Sequence, residues 1–244
     1  MTLPWIIAGA AAGLMAGPRI RASVLTHSTG HADPARRACP TCSCEIIPAR
    51  ARWRAMLPPT GRCPACRARI GPHAMSAEFA AALAVAIVVA RSASAPEAAA
   101  LTWLCLAAVP LAFIDLAVRR LPDALTAAAL VGTMSLLAVA AFTGHRPGSL
   151  LHAVAGGAAL PALYLAMAVI RPGGMGFGDV KLAASAGAAL GWFGWHAAAS
   201  GTFAAFALGT CYIGATRVLP KTRNTRTIPM GPFILLGALT AIAL

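Results

Sequence analysis

Residues 100–117 read ALTWLCLAAVPLAFIDLA, an apolar run in which Asp115 is the one charged residue. About 18 or more apolar residues in succession predict a helix that crosses a membrane. A charged side chain at the centre of such a helix costs about 2.5 to 3.5 kcal/mol on insertion scales, and an acid retained in a spanning segment indicates a functional site. The run therefore predicts a membrane helix with a functional carboxyl group near one end.

Similar apolar runs recur along the chain. Hydrophobic residues make up 59% of the sequence and charged residues 11%, with a mean hydropathy of +0.73, whereas ordinary soluble domains carry about 25% charged residues. Helices suit such runs because they satisfy every backbone polar group inside the bilayer. The predicted fold is an all-α, polytopic membrane helical bundle of about eight spans, which lie near residues 3–16, 76–90, 100–117, 122–142, 150–170, 180–195, 199–216 and 229–244.

The first run spans about 14 residues, a length that is also found in the apolar core of a signal peptide. No basic residue precedes it, whereas Arg19 and Arg21 follow it. A signal anchor with its N-terminus outside the cytosol fits this order of charges better than a cleaved signal peptide does. We therefore predict that residues 1–16 contain the first transmembrane span.

The basic residues give the chain a formal charge of +13. They do not cluster among aromatic residues on a soluble face, so we predict no nucleic-acid partner. With the N-terminus outside, all of the 20 Lys and Arg residues except Arg91 and Arg146 fall on one side of the membrane. The positive-inside rule then places the segment 17–75 and the loops near residues 119, 175 and 222 in the cytosol.

The segment 17–75 contains two CxxC motifs, Cys39-Pro-Thr-Cys42 and Cys63-Pro-Ala-Cys66. Two such knuckles can present four thiolates tetrahedrally to Zn²⁺, as in a zinc ribbon. A pair of disulfides is the alternative, but a reducing cytosol disfavours it, and a redox motif would need a βαβ pattern around it. We predict a structural zinc site on these four cysteines, with Cys44 as a spare thiol.

Acidic residues are scarce, with 7 in the whole chain. Asp115 lies about one turn inside the cytosolic end of its span, and Asp179 opens a later span at the same depth, after GGMGFG at 173–178. Two carboxyl groups at one membrane level can share a proton, so that one activates water while the other protonates a scissile carbonyl. Asp115 and Asp179 are therefore the predicted catalytic pair.

Four neighbours are predicted to support this pair, namely Gly176, Gly178, Lys181 and Asp123. Glycines lack a Cβ atom and would let an extended substrate approach the carboxylate. A phosphate-binding loop is the alternative, but Lys181 is not followed by the Ser or Thr of a P-loop. Asp123 also stands at a helix start, where the helix dipole favours an acid, and Glu78 is interpreted in the same way.

These motifs resemble those of the type IV prepilin peptidases, the leader peptidases of type IV pili and type II secretion among the GxGD intramembrane aspartyl proteases. The resemblance covers most of the chain and is carried by the cysteine module, by IDLAVRRLPD at 114–123, by GMGFGDVK at 174–181 and by IPMGPF at 228–233. It implies that Asp115 and Asp179 are catalytic. It also implies that the substrates are N-terminal segments of prepilins or pseudopilins, whose basic leader is removed after Gly at the cytosolic face of the bacterial inner membrane.

The resemblance further implies a second activity, because family members with this cysteine module often methylate the new N-terminus with S-adenosylmethionine. Residues 18–23, PRIRAS, depart from the Asn-Val-Val-containing segment, ending in Arg-Leu-Pro, that family members carry there. That departure bears on methylation more than on proteolysis. The predicted division is a first span at 1–16, a cytosolic four-cysteine zinc-binding domain at 17–75 and a transmembrane aspartic peptidase core at 76–244.

A proton- or cation-coupled transporter, with the zinc ribbon as a docking module, is the alternative function, since intramembrane acids also relay protons. Transporters of repeat architecture have related halves and binding sites near the membrane midplane, and the sequence indicates neither.

Overall fold

The computed structural model describes residues 2–30, 34–48, 55–144, 147–171, 175–218 and 229–244. In these ranges the secondary structure is helical, apart from two isolated β-bridges in the cysteine module. The helices are α1 (Leu3–His27), α2 (Ser76–Arg91), α3 (Ala95–Val118), α4 (Asp123–Thr143), α5 (Pro147–Ile170), α6 (Phe177–Phe193), α7 (Trp195–Val218) and α8 (Gly231–Ala243). The predicted all-α bundle is confirmed, with a helix at each predicted span.

Five of these helices, α1, α3, α4, α5 and α7, are long and apolar enough to cross a membrane. The helices α2 and α6 have 16 and 17 residues, and α8 is a shorter apolar helix of 13. In the described part of the chain the short helices pack against the long ones, α6 against α5 and α4, and α8 against α7 and α3. The carboxyl pair lies between these two classes, with Asp115 on the long helix α3 and Asp179 on the short helix α6.

Helix α1 does not end where its apolar run ends at residue 16 but continues to His27, with Pro18 inside it. The added turns are helical because the cysteine module covers one side of them. Ala22 and Leu25 are buried there together with Ile47, Leu57 and Ile70 of the module. Helix α1 thus belongs to both regions of the molecule and joins them.

A buried ion pair connects α1 to α2 near the cysteine module. The Arg21 guanidinium donates from Nε to Oε1 of Glu78 at 2.7 Å and from Nη2 to Oε2 at 2.8 Å, and both side chains are almost fully buried. The same guanidinium donates to the carbonyl oxygens of Pro72 at 2.9 Å and of His73 at 2.7 Å. Glu78 lies in the first turn of α2, as predicted, and its carboxylate is also held by Arg21, a partner that the sequence did not indicate.

Candidate active site and metal centre

A cavity of about 550 Å³ opens where α3 ends and where α4 and α6 begin. Both predicted catalytic residues line it, Asp115 from α3 and Asp179 from α6. All four predicted supporting residues line it as well. The further lining residues follow α1, end α3, connect α3 to α4 or begin α6, and they are Thr29, Gly30, Val118, Arg119, Arg120, Leu121 and Phe177. Packing therefore brings together two carboxyl groups that are far apart in sequence.

Asp115 lies in the last turn of α3 and is 5% exposed. Its Oδ2 accepts a hydrogen bond from the backbone N–H of Gly231, at 2.9 Å, at the start of α8. A Cβ atom on residue 231 would lie 3.0 Å from that oxygen and 3.3 Å from the Asp115 Cβ, so glycine permits this close approach. A third helix end therefore holds the Asp115 carboxylate in place.

Gly231 was missed as a site residue by sequence reasoning. A signal for it existed, because Gly231 precedes Pro232 at the start of the last helix. Proline is favoured in the first turn of a helix, while the glycine before it keeps its own N–H free to donate outward. The sequence shows this motif, but it does not show that the Gly231 N–H contacts Asp115 on another helix.

Asp179 lies in the first turn of α6 and is 6% exposed. Its Oδ2 accepts from the N–H of Gly176 at 3.2 Å, and its own N–H donates to the Gly176 carbonyl at 3.1 Å. This pairing closes the start of the helix as a capping box does. The other oxygen, Oδ1, is buried and has no hydrogen-bond partner among the residues that the structure describes, which leaves one oxygen available to a water molecule or a substrate.

Gly178 allows the α3–α4 connection to press against the start of α6. A Cβ atom at residue 178 would lie 2.8 Å from the Cβ of Leu121, closer than real side chains pack. The predicted reason for this glycine was the approach of a substrate strand, whereas the contact that the structure shows is with the protein's own Leu121. Gly173 and Gly174 of the same stretch lie outside the described residues.

Lys181 and Asp123 form an ion pair at the mouth of the cavity, with Nζ 2.7 Å from Oδ1. Their side chains are 46% and 78% exposed, and pairs exposed to this degree contribute about 0 to 1 kcal/mol. Asp123 is the first residue of α4, as predicted. The pair connects the starts of α4 and α6 without being part of the buried carboxyl site.

Two arginines follow Asp115 on the cavity rim. Arg119 ends α3 in a left-handed conformation with φ of 53°, and its N–H donates to the Asp115 carbonyl at 2.8 Å. Arg120 donates from Nη1 to the Gly30 carbonyl, also at 2.8 Å. The end of α1 is thereby tied to the α3–α4 connection, and the rim is rich in positive charge.

The four predicted metal ligands form a compact cluster in which all sulfurs lie within 4.8 Å of one another. Cys39 and Cys66 Sγ are 3.7 Å apart, and so are Cys42 and Cys63 Sγ. Tetrahedral Zn²⁺ with bonds of about 2.3 Å to sulfur spaces its ligands by about 3.8 Å, so these residues fit zinc.

The cluster draws on both halves of the module. Cys39 and Cys63 are buried, whereas Cys42 and Cys66 are exposed. Zinc held by these four thiolates would join the two knuckles. It would also add folding free energy to a module whose described residues have no regular secondary structure beyond two isolated β-bridges. Its chemical role would be structural, since all four ligand positions come from protein.

The fold and the site together define a polytopic membrane protein with a paired carboxyl site at one end of its helices and a tetrahedral cysteine cluster beside α1. Comparison with known proteins gives the family. Residues 99–216 match the type IV leader peptidase family. No solved structure matches the chain significantly.

Curated relatives extend this match over most of the chain. A prepilin leader peptidase/N-methyltransferase of Aeromonas salmonicida is 31% identical over 219 residues, which are 85% of this chain and 70% of the relative. Proteins with the same name from Aeromonas hydrophila and Burkholderia pseudomallei are 32% and 28% identical, covering 75% and 83% of this chain. This chain spans 62% of the first and 65% of the second. The chain belongs to the type IV leader peptidase family.

Proposed function

We propose that this protein is a membrane aspartic endopeptidase that removes the basic leader from prepilin-like precursors. The observation that carries the proposal is the cavity in which Asp115 and Asp179, both buried, meet from different helices. Family membership and the names of the relatives support the same activity. The proposed catalytic residues are Asp115 and Asp179, with Gly176, Gly178 and Gly231 shaping the site around them.

The carboxyl pair would act on water as a unit that shares one proton. The ionised carboxylate takes a proton from water as the water oxygen attacks the scissile carbonyl carbon, while the protonated carboxyl group donates to the carbonyl oxygen. A proton then passes to the amide nitrogen, the C–N bond breaks, and the pair returns to its starting state. Because the two groups are coupled, their titration belongs to the pair and not to either residue.

The position of the cavity suits a substrate with a polar leader and an apolar helix. Asp115 lies at the end of α3 and Asp179 at the start of α6, so the site is near the level where a membrane helix emerges from lipid. A leader peptide would enter from the side that carries the basic loops, which the positive-inside rule places in the cytosol. The proposed location is the bacterial inner membrane, with the 17–75 module and the site facing the cytosol.

Methylation of the new N-terminus is a second proposed activity, because the relatives are named for it. S-adenosylmethionine would supply the methyl group. Cleavage at Asp115 and Asp179 would expose the α-amino group that receives the methyl group. The product of the first reaction would therefore be the substrate of the second. Incubating cleaved substrate with labelled S-adenosylmethionine tests this second activity, and no transfer of label would remove it from the proposal.

The transporter alternative is not favoured. Both carboxyl groups lie in terminal turns of their helices and line one cavity, whereas transporter sites lie near the membrane midplane. The relatives that match most of the chain carry the name of a peptidase.

The decisive experiment incubates the purified protein in detergent with a peptide that has a basic leader followed by an apolar segment. Asp115→Asn and Asp179→Asn should each abolish detectable cleavage, because neither an acid nor a base remains at the replaced position. Glu45→Gln is the matched control, since Glu45 is an exposed acid of the cysteine module and its variant should cleave at the wild-type rate. Cleavage at the wild-type rate by either aspartate variant would refute the catalytic pair.

A further inference from the structure

The two cysteine knuckles of the module have the same backbone geometry. In the first, the N–H of Ser43 donates to the carbonyl of Cys39 at 3.0 Å; in the second, the N–H of Arg67 donates to the carbonyl of Cys63 at the same distance. Ser43 and Arg67 also share a left-handed conformation, with φ of 57° and 58°. The knuckles are thus structural copies, and a residue in one has a counterpart in the other.

Cys44 in the first knuckle corresponds to Ala68 in the second. The N–H of Cys39 donates to the Cys44 carbonyl at 2.9 Å, and the N–H of Cys63 donates to the Ala68 carbonyl at 2.8 Å. The backbones match, but only the first knuckle carries a thiol at this position. Cys44 is therefore an addition to a site that four cysteines complete.

The sulfur of Cys44 lies against one edge of the cluster. It is 3.3 Å from Cys42 Sγ and 3.3 Å from Cys63 Sγ. These distances are shorter than the spacing of about 3.8 Å between sulfurs bound to one tetrahedral zinc ion. Five thiolates cannot all bind an ion that takes four ligands, so Cys44 lies beside the four-cysteine cluster as a fifth thiol.

We propose that Cys44 is an alternative zinc ligand that exchanges with Cys42. Both belong to the same short loop, and both sulfurs lie beside Cys63. In the exchange, the bond from zinc to the Cys42 sulfur breaks as a bond to the Cys44 sulfur forms, and the thiol proton of Cys44 passes to the departing Cys42 thiolate. The ion keeps four sulfur ligands throughout, and no electrons are transferred.

The exchange occurs at one of the two ligands that solvent reaches, Cys42 and Cys66. Cys42 is exposed, while Cys44 is half-buried. When an electrophile or a competing metal takes Cys42, Cys44 would replace it at the zinc ion. The second knuckle has no such reserve, because Ala68 stands at the matching position. The metal site is therefore unsymmetrical in chemistry although its backbone is symmetrical.

This asymmetry supplies the test. Zinc content is measured by atomic absorption on the purified full chain, before and after dialysis against a chelator, for Cys42→Ser and for its counterpart Cys66→Ser. Cys42→Ser should keep about one zinc per chain, whereas Cys66→Ser should lose its zinc to the chelator. Cobalt substitution should show the sulfur charge-transfer bands of four thiolates in Cys42→Ser and of three in Cys66→Ser.

Two further variants show whether Cys44 is the replacement. Cys42→Ser with Cys44→Ala should lose zinc as Cys66→Ser does, whereas Cys44→Ala alone should keep it. Cys66→Ser with Ala68→Cys should regain zinc, because it gives the second knuckle the reserve thiol of the first. Equal loss of zinc from Cys42→Ser and Cys66→Ser would overturn the proposal, as would a wild-type chain without zinc. None of these readouts depends on peptidase activity, so they fail or succeed separately from the proposed function.

Discussion

The cysteine cluster and the carboxyl pair are assembled in different ways. The four sulfurs come from two loops that each close on themselves through their own backbone hydrogen bonds. The carboxyl pair is not positioned by backbone hydrogen bonds within one loop, because Asp115 and Asp179 lie on separate helices and Gly231 comes from a third. The first site thus depends on short-range geometry, whereas the second depends on the packing of the whole bundle. A substitution in the cysteine cluster should therefore leave peptide cleavage measurable, and a substitution in the carboxyl pair should leave zinc content measurable.

The largest effect is expected from removing the metal. Cys39→Ser with Cys63→Ser should reduce zinc from about one per chain to none, and structural zinc in small domains contributes about 10–16 kcal/mol of apparent binding free energy. The module should become sensitive to a protease while the far-UV circular dichroism of the helices changes little. Unchanged zinc content would show that these cysteines do not hold the metal.

The next effect concerns the ion pair that joins the two regions. Glu78→Ala leaves the Arg21 guanidinium buried without its carboxylate, and breaking a buried pair in this way costs about 3–5 kcal/mol. Thermal unfolding in detergent should show a lowered midpoint. Arg21→Met with Glu78→Met should recover much of the loss, because neither buried charge then remains. A Glu78→Ala midpoint equal to that of Glu45→Ala would contradict the assigned role.

A smaller effect should separate the carboxyl site from the metal site. Gly231→Ala places a Cβ atom 3.0 Å from Oδ2 of Asp115, and a displaced catalytic group can cost about 100-fold in rate. We expect kcat for leader cleavage to fall while zinc content stays the same. Gly214→Ala is the matched control, because a Cβ atom there meets nothing within 4 Å. Equal kcat values for the two variants would rule out positioning of Asp115 by Gly231.

The smallest effect is expected at the mouth of the cavity. Asp123→Asn and Lys181→Met each break an exposed ion pair, so the coupling energy from a double-mutant cycle on thermal stability should be no more than about 1 kcal/mol. Added salt should reduce that coupling further, since it screens exposed charges. A coupling well above this value that resists salt would show that the pair is buried when the protein is in its lipid environment.

The sequence predicted the helices well and their ends less well. Apolar runs located all eight of the described helices, because the bilayer demands long apolar segments whatever their partners are. The end of α1 at His27 was missed, because the predicted span ended with the apolar run at residue 16. Arg21 remains helical and buried since Glu78, on another helix, neutralises it. That compensation is visible only after the two helices have packed.

The candidate sites likewise contain residues that the sequence predicted and residues that only the packing revealed. Charge topology and the scarcity of acids pointed to Asp115 and Asp179, and the spacing of the CxxC motifs pointed to the four cysteines. Gly231 was missed because its role is a hydrogen bond between residues far apart in the chain. Cys44 was predicted to be a spare thiol, and only the sulfur distances in the folded module place it on the Cys42–Cys63 edge.

The amino-acid sequence by itself determined the membrane class, the order of the helices, the scarce acids at the helix ends and the two knuckles. These properties follow from composition and short spacing, which act before any long-range contact forms. Tertiary structure alone decided which backbone N–H holds the Asp115 carboxylate, which acid neutralises Arg21 and which oxygen of Asp179 stays without a partner among the described residues. Such choices depend on distances between helices, and packing sets those distances through glycines that allow close approach and through buried charges that must be paired.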